Sequence, residues 1–222
     1  MRNSLENSRV VIIGASSNLG RQLADTARSQ GADVVAASPR DGSIDLTDER
    51  SVEDFAARVG AFDHLVSTAA VPANGPLADL DLPAIRRAFD AKVIGPLLLA
   101  KHLGGSARQS FTFFSGVAAW RPQPGRVVMA TTNGALAFLV EALAVELAPL
   151  RVNAVSPGIV DSGAWDRLGE GKAAFLEATA ARNPARRVGT PDDVVQAVLY
   201  AATNPYVTGT VLHVDGGGRL AP

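Results

Sequence analysis

The sequence predicts an α/β fold, a single doubly wound parallel sheet with helices on both faces, formed by residues 1–222 as one domain. Short apolar strand-like runs alternate with longer helical stretches along the whole chain. The first run, Val10 to Ile13, is continuously apolar and β-branched, as in a strand buried on both faces, and ends in a small polar turn bounded by glycines. A length of 222 residues with 47% apolar and 19% charged side chains suits one globular core.

Composition also excludes several classes. A formal net charge of -1 offers no general field for nucleic acid or a membrane surface. With no cysteine, disulfides and thiolate chemistry are ruled out. The opening MRNSLENSR lacks the apolar core of a secretory signal, and the most apolar later stretch, Ala135 to Ala148, is interrupted by Glu141 and Glu146. No membrane span and a cytoplasmic location are therefore expected.

Taken in order, the elements frame one site. After Val10 to Ile13, Gly14 lets the backbone turn sharply and approach a ligand closely, and Gly20 leaves room for a helix from about Leu19 to Ser29. The free N–H groups of that helix would face an anion. Such turns also occur where nothing binds, and Asn18 replaces the middle glycine of the dinucleotide pattern G-x-x-x-G-x-G.

A second strand covers about Asp33 to Ala37, and at its end an acid would accept from ribose hydroxyls and repel a 2′-phosphate. Here stand Ser38, Pro39 and Arg40; a hydroxyl with a guanidinium suits a 2′-phosphate and favours NADP(H) over NAD(H), against Asp41 nearby and the alternative of a solvated loop arginine. Ile44, Asp45 and Leu46 form an apolar-acid-apolar piece, with Asp45 also readable as a turn acid, and Thr47 is the expected N-cap of a helix through Val59.

The third strand, His64 to Ser67, closes on Thr68, Ala69 and Ala70, small enough for a flat ligand to lie close. Pro72 to Pro83 reads as a loop and about Ala84 to Leu103 as a helix, in which Lys92 sits between Ala91, Val93 and Ile94, an odd place for a charge unless it snorkels. Ser110 to Phe114 is a strand ending at Ser115-Gly116, about Val128 to Ala148 a helix, and Arg151 to Val155 a strand stopped by Pro157-Gly158. Thr190-Pro191-Asp192-Asp193 opens a helix to about Thr203, and Val211 to Val214 is the last strand.

The segments GASSNLG, Asp45-Leu46, the Ser115 strand end, residues 133–160 (NGALAFLVEALAVELAPLRVNAVSPGIV) and 208–217 (TGTVLHVDGG) together resemble the short-chain dehydrogenase/reductase family over essentially the whole chain. The resemblance implies a Rossmann-type domain that binds NAD(H) or NADP(H). It also implies a homodimer or homotetramer formed through the two long central helices, here about 84–103 and 128–148. By position, Gly14, Ser16, Ser17, Asn18, Leu19 and Gly20 would line the pyrophosphate, Arg40 with Ser38 the 2′-phosphate, and Asp45 with Leu46 the adenine. Thr68, Ala69 and Ala70 stand where the family usually has Asn-Ala-Gly, and Pro157, Gly158 and Ile159 would border the nicotinamide.

The catalytic positions depart from the family pattern, which has a serine, then a tyrosine about thirteen residues on, a lysine four further, and an asparagine in the preceding long helix. The serine is Ser115. Met129 falls at the tyrosine, Asn133 at the lysine and Lys92 at the asparagine, while the only tyrosines, Tyr200 and Tyr206, lie near the C-terminus. Methionine has no proton to give an alkoxide, and general-acid help is worth roughly 10²- to 10⁴-fold. Lys92 would then reach the nicotinamide ribose or a water, with Asn133 a neutral hydrogen-bond partner; drift after loss of activity is the other reading.

Three functions follow: an NADP(H)-dependent oxidoreductase on a small carbonyl or alcohol substrate with an altered proton path, a cofactor-binding sensor or structural protein, and a non-redox lyase or isomerase in the same pocket. A substrate lid is expected at about 162–189, where Trp165, Leu168, Phe175 and Leu176 form a pocket wall or merely pack the lid, and Arg182, Arg186 and Arg187 attract an anion or are solvated. His64, His102 and His213 are isolated in the sequence, so no metal site is expected.

Overall fold

The computed structural model describes residues 4–221. Its strands are β1 (Arg9–Ile13), β2 (Asp33–Ala37), β3 (Phe62–Ser67), β4 (Ala107–Phe114), β5 (Arg151–Pro157) and β6 (Val211–Val214). All pair in parallel in one six-stranded sheet of order β2-β1-β3-β4-β5-β6. The chain reverses its direction of travel across the sheet between β1 and β3, and ligand crevices form at the carboxyl ends of strands at such a reversal.

The run Val10–Ile13 shows why the sheet is covered twice. Val11 and Ile13 join Phe55, Leu99 and Leu136 in one core cluster, whereas Val10 and Ile12 join Leu23, Val195 and Val198 in the other. Period-two alternation thus sends neighbouring side chains to opposite faces, and both faces are dry.

The helices are α1 (Asn18–Ser29), α2 (Glu49–Val59), α3 (Leu82–Phe89), α4 (Gly95–Leu103), α5 (Val127–Glu146), α6 (Gly171–Arg182) and α7 (Pro191–Thr203). Ser17 caps α1 by accepting from the Gly20 N–H at 3.0 Å, and Thr190 with Asp193 forms a capping box on α7. Strands β3, β4 and β5 run two or three residues beyond their expected ranges, and two helix starts differ for a local reason. The N-cap of α2 is Asp48, which accepts from the Arg50 N–H at 3.0 Å, because the Thr47 hydroxyl donates instead to Asp45 at 2.8 Å. The helix expected from about Ala84 begins at Leu82, capped by Asp81, with Pro83 in its first turn where no N–H is needed.

That same helix is not uniform. Between α3 and α4 lies a π-helical turn, Asp90–Ile94, in which the Gly95 N–H bonds back five residues to the Asp90 carbonyl. Lys92 sits at the centre of this turn.

α5 passes for a membrane span by length and composition, although it carries Glu141 and Glu146 at exposed positions. Here it packs against β4, β5 and α3, burying Val128, Leu136, Val140 and Leu143, while Phe138 and Val145 on its outer side are 75% and 80% exposed. The expected lid contains a 3-10 turn (Asp166–Leu168) and α6, and a parallel bridge between Val160 and Gly189 closes its base.

Candidate active site

The β1–α1 turn is built for close backbone approach. Gly14 has φ +84, and a Cβ there would stand 2.5 Å from Thr68 Oγ1, whose hydroxyl donates to the Ile13 and Gly14 carbonyls at 3.2 and 3.3 Å. A Cβ on Gly20 would run into the Gly14 carbonyl oxygen. Gly14, Gly20 and Thr68 therefore shape the turn, while Ser16, Ser17, Asn18, Leu19, Arg21 and Arg40 line a cavity of about 300 Å³ in front of it, shared with Ser162, Gly163 and Ala164 of the lid.

Asn18 has a task of its own. Its amide nitrogen donates to the Ser162 carbonyl at 2.8 Å, its amide oxygen accepts from Arg21, and a Cβ on Gly163 would clash with that amide. The side chain ties the turn to the lid.

At the end of β2, Arg40 is exposed at the cavity, but Ser38 is not. Ser38 is fully buried; its hydroxyl donates to Asp41 at 2.9 Å and its N–H to Ser43 Oγ at 2.8 Å. This corrects the expectation that its hydroxyl faces a 2′-phosphate. The same bonds turn the Asp41 carboxylate onto Ser38 and Ser43, and chiefly the Ser43 bond holds its pKa below the ordinary value. Asp45 accepts from the Thr47 N–H and hydroxyl, and Leu46 is 4% exposed in the core, where a Cβ on Gly95 would come within 2.8 Å of its own. Leu46 and Ala69 thus pack on the core, while Asp45 is exposed at the surface.

A larger cavity of about 750 Å³ opens beside the carboxyl ends of β4 and β5. Ala70, Lys92, Ser115, Met129, Asn133, Pro157, Gly158 and Ile159 all line it, so Lys92, Met129 and Asn133 from helical turns meet Ser115 from a strand end. Ala164 lines both cavities, so the two adjoin under the lid.

Ser115 is held by its N–H to the Val155 carbonyl at 2.8 Å, and its hydroxyl donates to the main-chain carbonyl of Asn133 at 2.9 Å. The Asn133 amide stands over Gly116, where a Cβ would come within 2.9 Å of its nitrogen. Lys92 is 9% exposed and makes no ion pair or side-chain hydrogen bond among the described residues. Burial lowers its pKa from 10.5 to about 8, so near neutrality it is a cation that gives up a proton readily.

On the lid, Trp165 and Phe175 face the larger cavity, their ring centroids 4.7 Å apart, and the Trp165 indole N–H donates to the Val160 carbonyl at 3.0 Å. Leu168 and Leu176 do not line it. Of the three lid-base arginines only Arg182 does: Arg187 is bidentate on Asp193 at 2.6 Å, and Arg186 donates to the Ala181 carbonyl at 2.6 Å. Arg121 and Arg126, on the loop before α5, also reach the cavity. Sequence reasoning missed both because no local pattern marks them.

His102 proves not to be isolated. Its Nε2 lies 2.9 Å from Glu49 and 3.8 Å from Glu53, and the three offer ligand atoms within 4.8 Å of one another. Lys101 meets the same Glu49 oxygen at 2.6 Å and already supplies a cation there. His64 is buried against Ser110 at 2.8 Å, and His213 packs edge-on against Trp120.

A parallel sheet covered on both faces, with a glycine turn and a cleft at the carboxyl ends of its central strands, defines a Rossmann-type α/β fold. Residues 9–218 match the family model described as enoyl-(acyl carrier protein) reductase. The chain belongs to the short-chain dehydrogenase/reductase family. It is 31% identical to the short-chain dehydrogenase/reductase ucsE of Acremonium sp, across 98% of this chain and 97% of that one. A small-chain dehydrogenase solved in complex with NADPH superposes with a TM-score of 0.91 at 36% identity, covering 97% of this chain and 100% of that one. The MalC reductase/Diels-Alderase of Malbranchea aurantiaca superposes at 0.87 with 28% identity, covering 97% and 98%.

Proposed function

We propose that the protein is an NADP(H)-dependent oxidoreductase acting on a small carbonyl or alcohol substrate, with Lys92 in place of the missing tyrosine as proton donor. The observation that carries this reading is the placement of the Lys92 ammonium, without a protein partner, in the cavity it shares with Ser115 and Asn133.

The cleft suits a dinucleotide. Its narrow part is lined by the Ser16–Leu19 turn at the N-terminus of α1, which would face a diphosphate, with Arg21 and Arg40 on its wall. The family relative that carries NADPH and the exposed Arg40 favour NADP(H) over NAD(H). When bound, a reduced nicotinamide supplies the hydride.

The chain's own groups would do the rest. Pro157, Gly158 and Ile159 would border the ring, and the Asn133 amide N–H would orient the substrate oxygen, while the Ser115 hydroxyl, its proton given to the Asn133 carbonyl, fixes the start of α5 beside it. As the carbonyl carbon takes the hydride, the oxygen takes a proton from Lys92 Nζ, and the neutral amine regains one from solvent through the cavity mouth. A donor whose pKa is near 8 is matched to neutral pH.

The remaining expectations join this reading. The exposed apolar residues Ile94 and Leu97 beside α4 and Val127, Phe138 and Val145 on α5 favour a homodimer or homotetramer through about 84–103 and 128–148. The assignment is a cytoplasmic enzyme of small molecules, without nucleic-acid or membrane partners and without a metal. A second reading, a non-redox reaction in the same pocket, is favoured by Met129 and by the relative described as both a reductase and a Diels-Alderase.

The test is NADPH oxidation by the purified protein across a broad carbonyl panel and across pH. Turnover should fall as pH rises above about 8, and Lys92→Met should slow it by about 10²- to 10⁴-fold and remove that limb. Bound NADPH with no oxidation on any carbonyl would instead support a binding protein. Product formed at unchanged cofactor redox level would support the non-redox reading.

A further inference from the structure

The charges around the larger cavity are one-sided. Its cationic lining residues are Lys92, Arg121, Arg126, Arg167 and Arg182, and its one acid among the described residues is Asp215. That carboxylate is spent: it is 7% exposed, accepts from the Gly217 and Arg219 N–H groups at 3.0 and 3.1 Å, and pairs with the Arg219 guanidinium at 3.1 Å. The cavity is strongly positive in a chain whose formal net charge is -1.

The arginines are not explained by folding. Arg121 reaches the Gly218 carbonyl at 3.3 Å, but the side chains of Arg126, Arg167 and Arg182 have no ion pair or hydrogen bond among the described residues. Arg187 and Arg219, by contrast, each close on an aspartate. Nor are they explained by a dinucleotide, whose phosphates belong at the other end of the cleft beside Ser16, Arg21 and Arg40. Between the arginines the wall is apolar, with Val117, Met129, Trp165 and Phe175.

We infer that the substrate carries a carboxylate: it is an oxo acid or hydroxy acid with an apolar body, whose carboxylate is held at the mouth by Arg126, Arg167 and Arg182. Guanidinium forks bind a carboxylate through two parallel hydrogen bonds, and a cleft lined by one sign of charge draws its ligand in. Two of the three anchors belong to the lid, so an acid bound there also holds the lid over the cavity. This rests on reading the cavity as the substrate site, and leaves open whether the reaction is redox.

The experiment uses the full chain saturated with NADP⁺, so that binding is read without hydride transfer. Calorimetric titrations compare 4-oxo-4-phenylbutanoate with its primary amide, at low salt and at about 0.5 M sodium chloride. The acid should bind at least about tenfold more tightly than the amide at low salt, the size expected of charge-assisted bonds, and the gap should shrink in high salt. It should close in the combined variant Arg126→Gln, Arg167→Gln, Arg182→Gln with NADP⁺ affinity unchanged. Single variants Arg167→Gln and Arg182→Gln, at exposed lid positions, should each narrow it if the combined variant does not fold. Equal affinity for acid and amide, no acid binding up to about 10 mM, or a gap that survives these substitutions overturns the inference. A preference for the acid in a protein that never oxidises NADPH would sink the oxidoreductase reading alone and leave the carboxylate site standing.

Discussion

Asn18 and Ser162, 144 positions apart in the chain, are joined by a 2.8 Å hydrogen bond from the Asn18 amide to the Ser162 carbonyl. The residue that interrupts the glycine pattern of the turn is thus the one that fastens the lid to it. Asn18→Ala should speed amide exchange across 161–182 while leaving the sheet amides unchanged. The bond is exposed, so the stability loss should stay below about 1 kcal/mol, or roughly 2–4 °C in Tm. Unchanged lid exchange would refute the tie.

Two glycine-to-alanine changes should have opposite signs. Gly14→Ala places a Cβ at 2.5 Å from Thr68 Oγ1 in a backbone with φ +84, and should cost at least about 1–2 kcal/mol and weaken NADPH binding. Gly134→Ala, inside α5 with open space around its Cβ position, should gain up to about 1 kcal/mol. Thermal unfolding with and without NADPH reads both.

Arg40 should set the choice of nucleotide. With Ser38 turned inward and Asp41 occupied by Ser38 and Ser43, it is the charged group left at that edge of the cleft. Arg40→Ala should weaken NADPH about tenfold and leave NADH unaltered in fluorescence titrations. An equal loss for both nucleotides would assign Arg40 to the shared diphosphate instead.

Lys92 should make stability depend on alkaline pH. Its pKa falls from 10.5 unfolded to about 8 folded, so between these values the unfolded chain binds the extra proton and stability rises with pH. Below about pH 8 the full penalty, roughly 3 kcal/mol, is present. Lys92→Met should therefore raise Tm at pH 7 and flatten the rise between about pH 8 and 10.5 in denaturation series. A wild-type curve that is flat there would mean the amine is solvated.

Much of the fold was legible because buried strands carry their own signature. Val10–Ile13 and Val211–Val214 fall in strands where the pattern puts them, and His64–Ser67 covers all of β3 but its first two residues. Local competition was harder to read. Thr47 and Asp48 are both good caps, and the choice fell to Asp48 because Asp45 captures Thr47. Ser38 looked like a ligand group, although Asp41 three residues on is a capping-box signal that explains its burial. The meeting of Ser115, Met129 and Asn133 at one cavity followed from spacing along one strand end and one helix. The cavity arginines did not, since Arg126, Arg167 and Arg182 come from separate elements that only the folded lid brings to one wall.

The turn Asp90–Ile94 also has a genetic side. A π turn holds one residue more than the α-helical turn it replaces, and Pro96 just beyond it, with no N–H to give to a carbonyl four residues back, keeps α3 and α4 from running together as one regular helix. The cation in the cavity is carried by that extra residue's bulge. A lineage that straightened this helix would therefore have to change Pro96 as well as the residue count, so the Lys92 geometry is guarded at two positions.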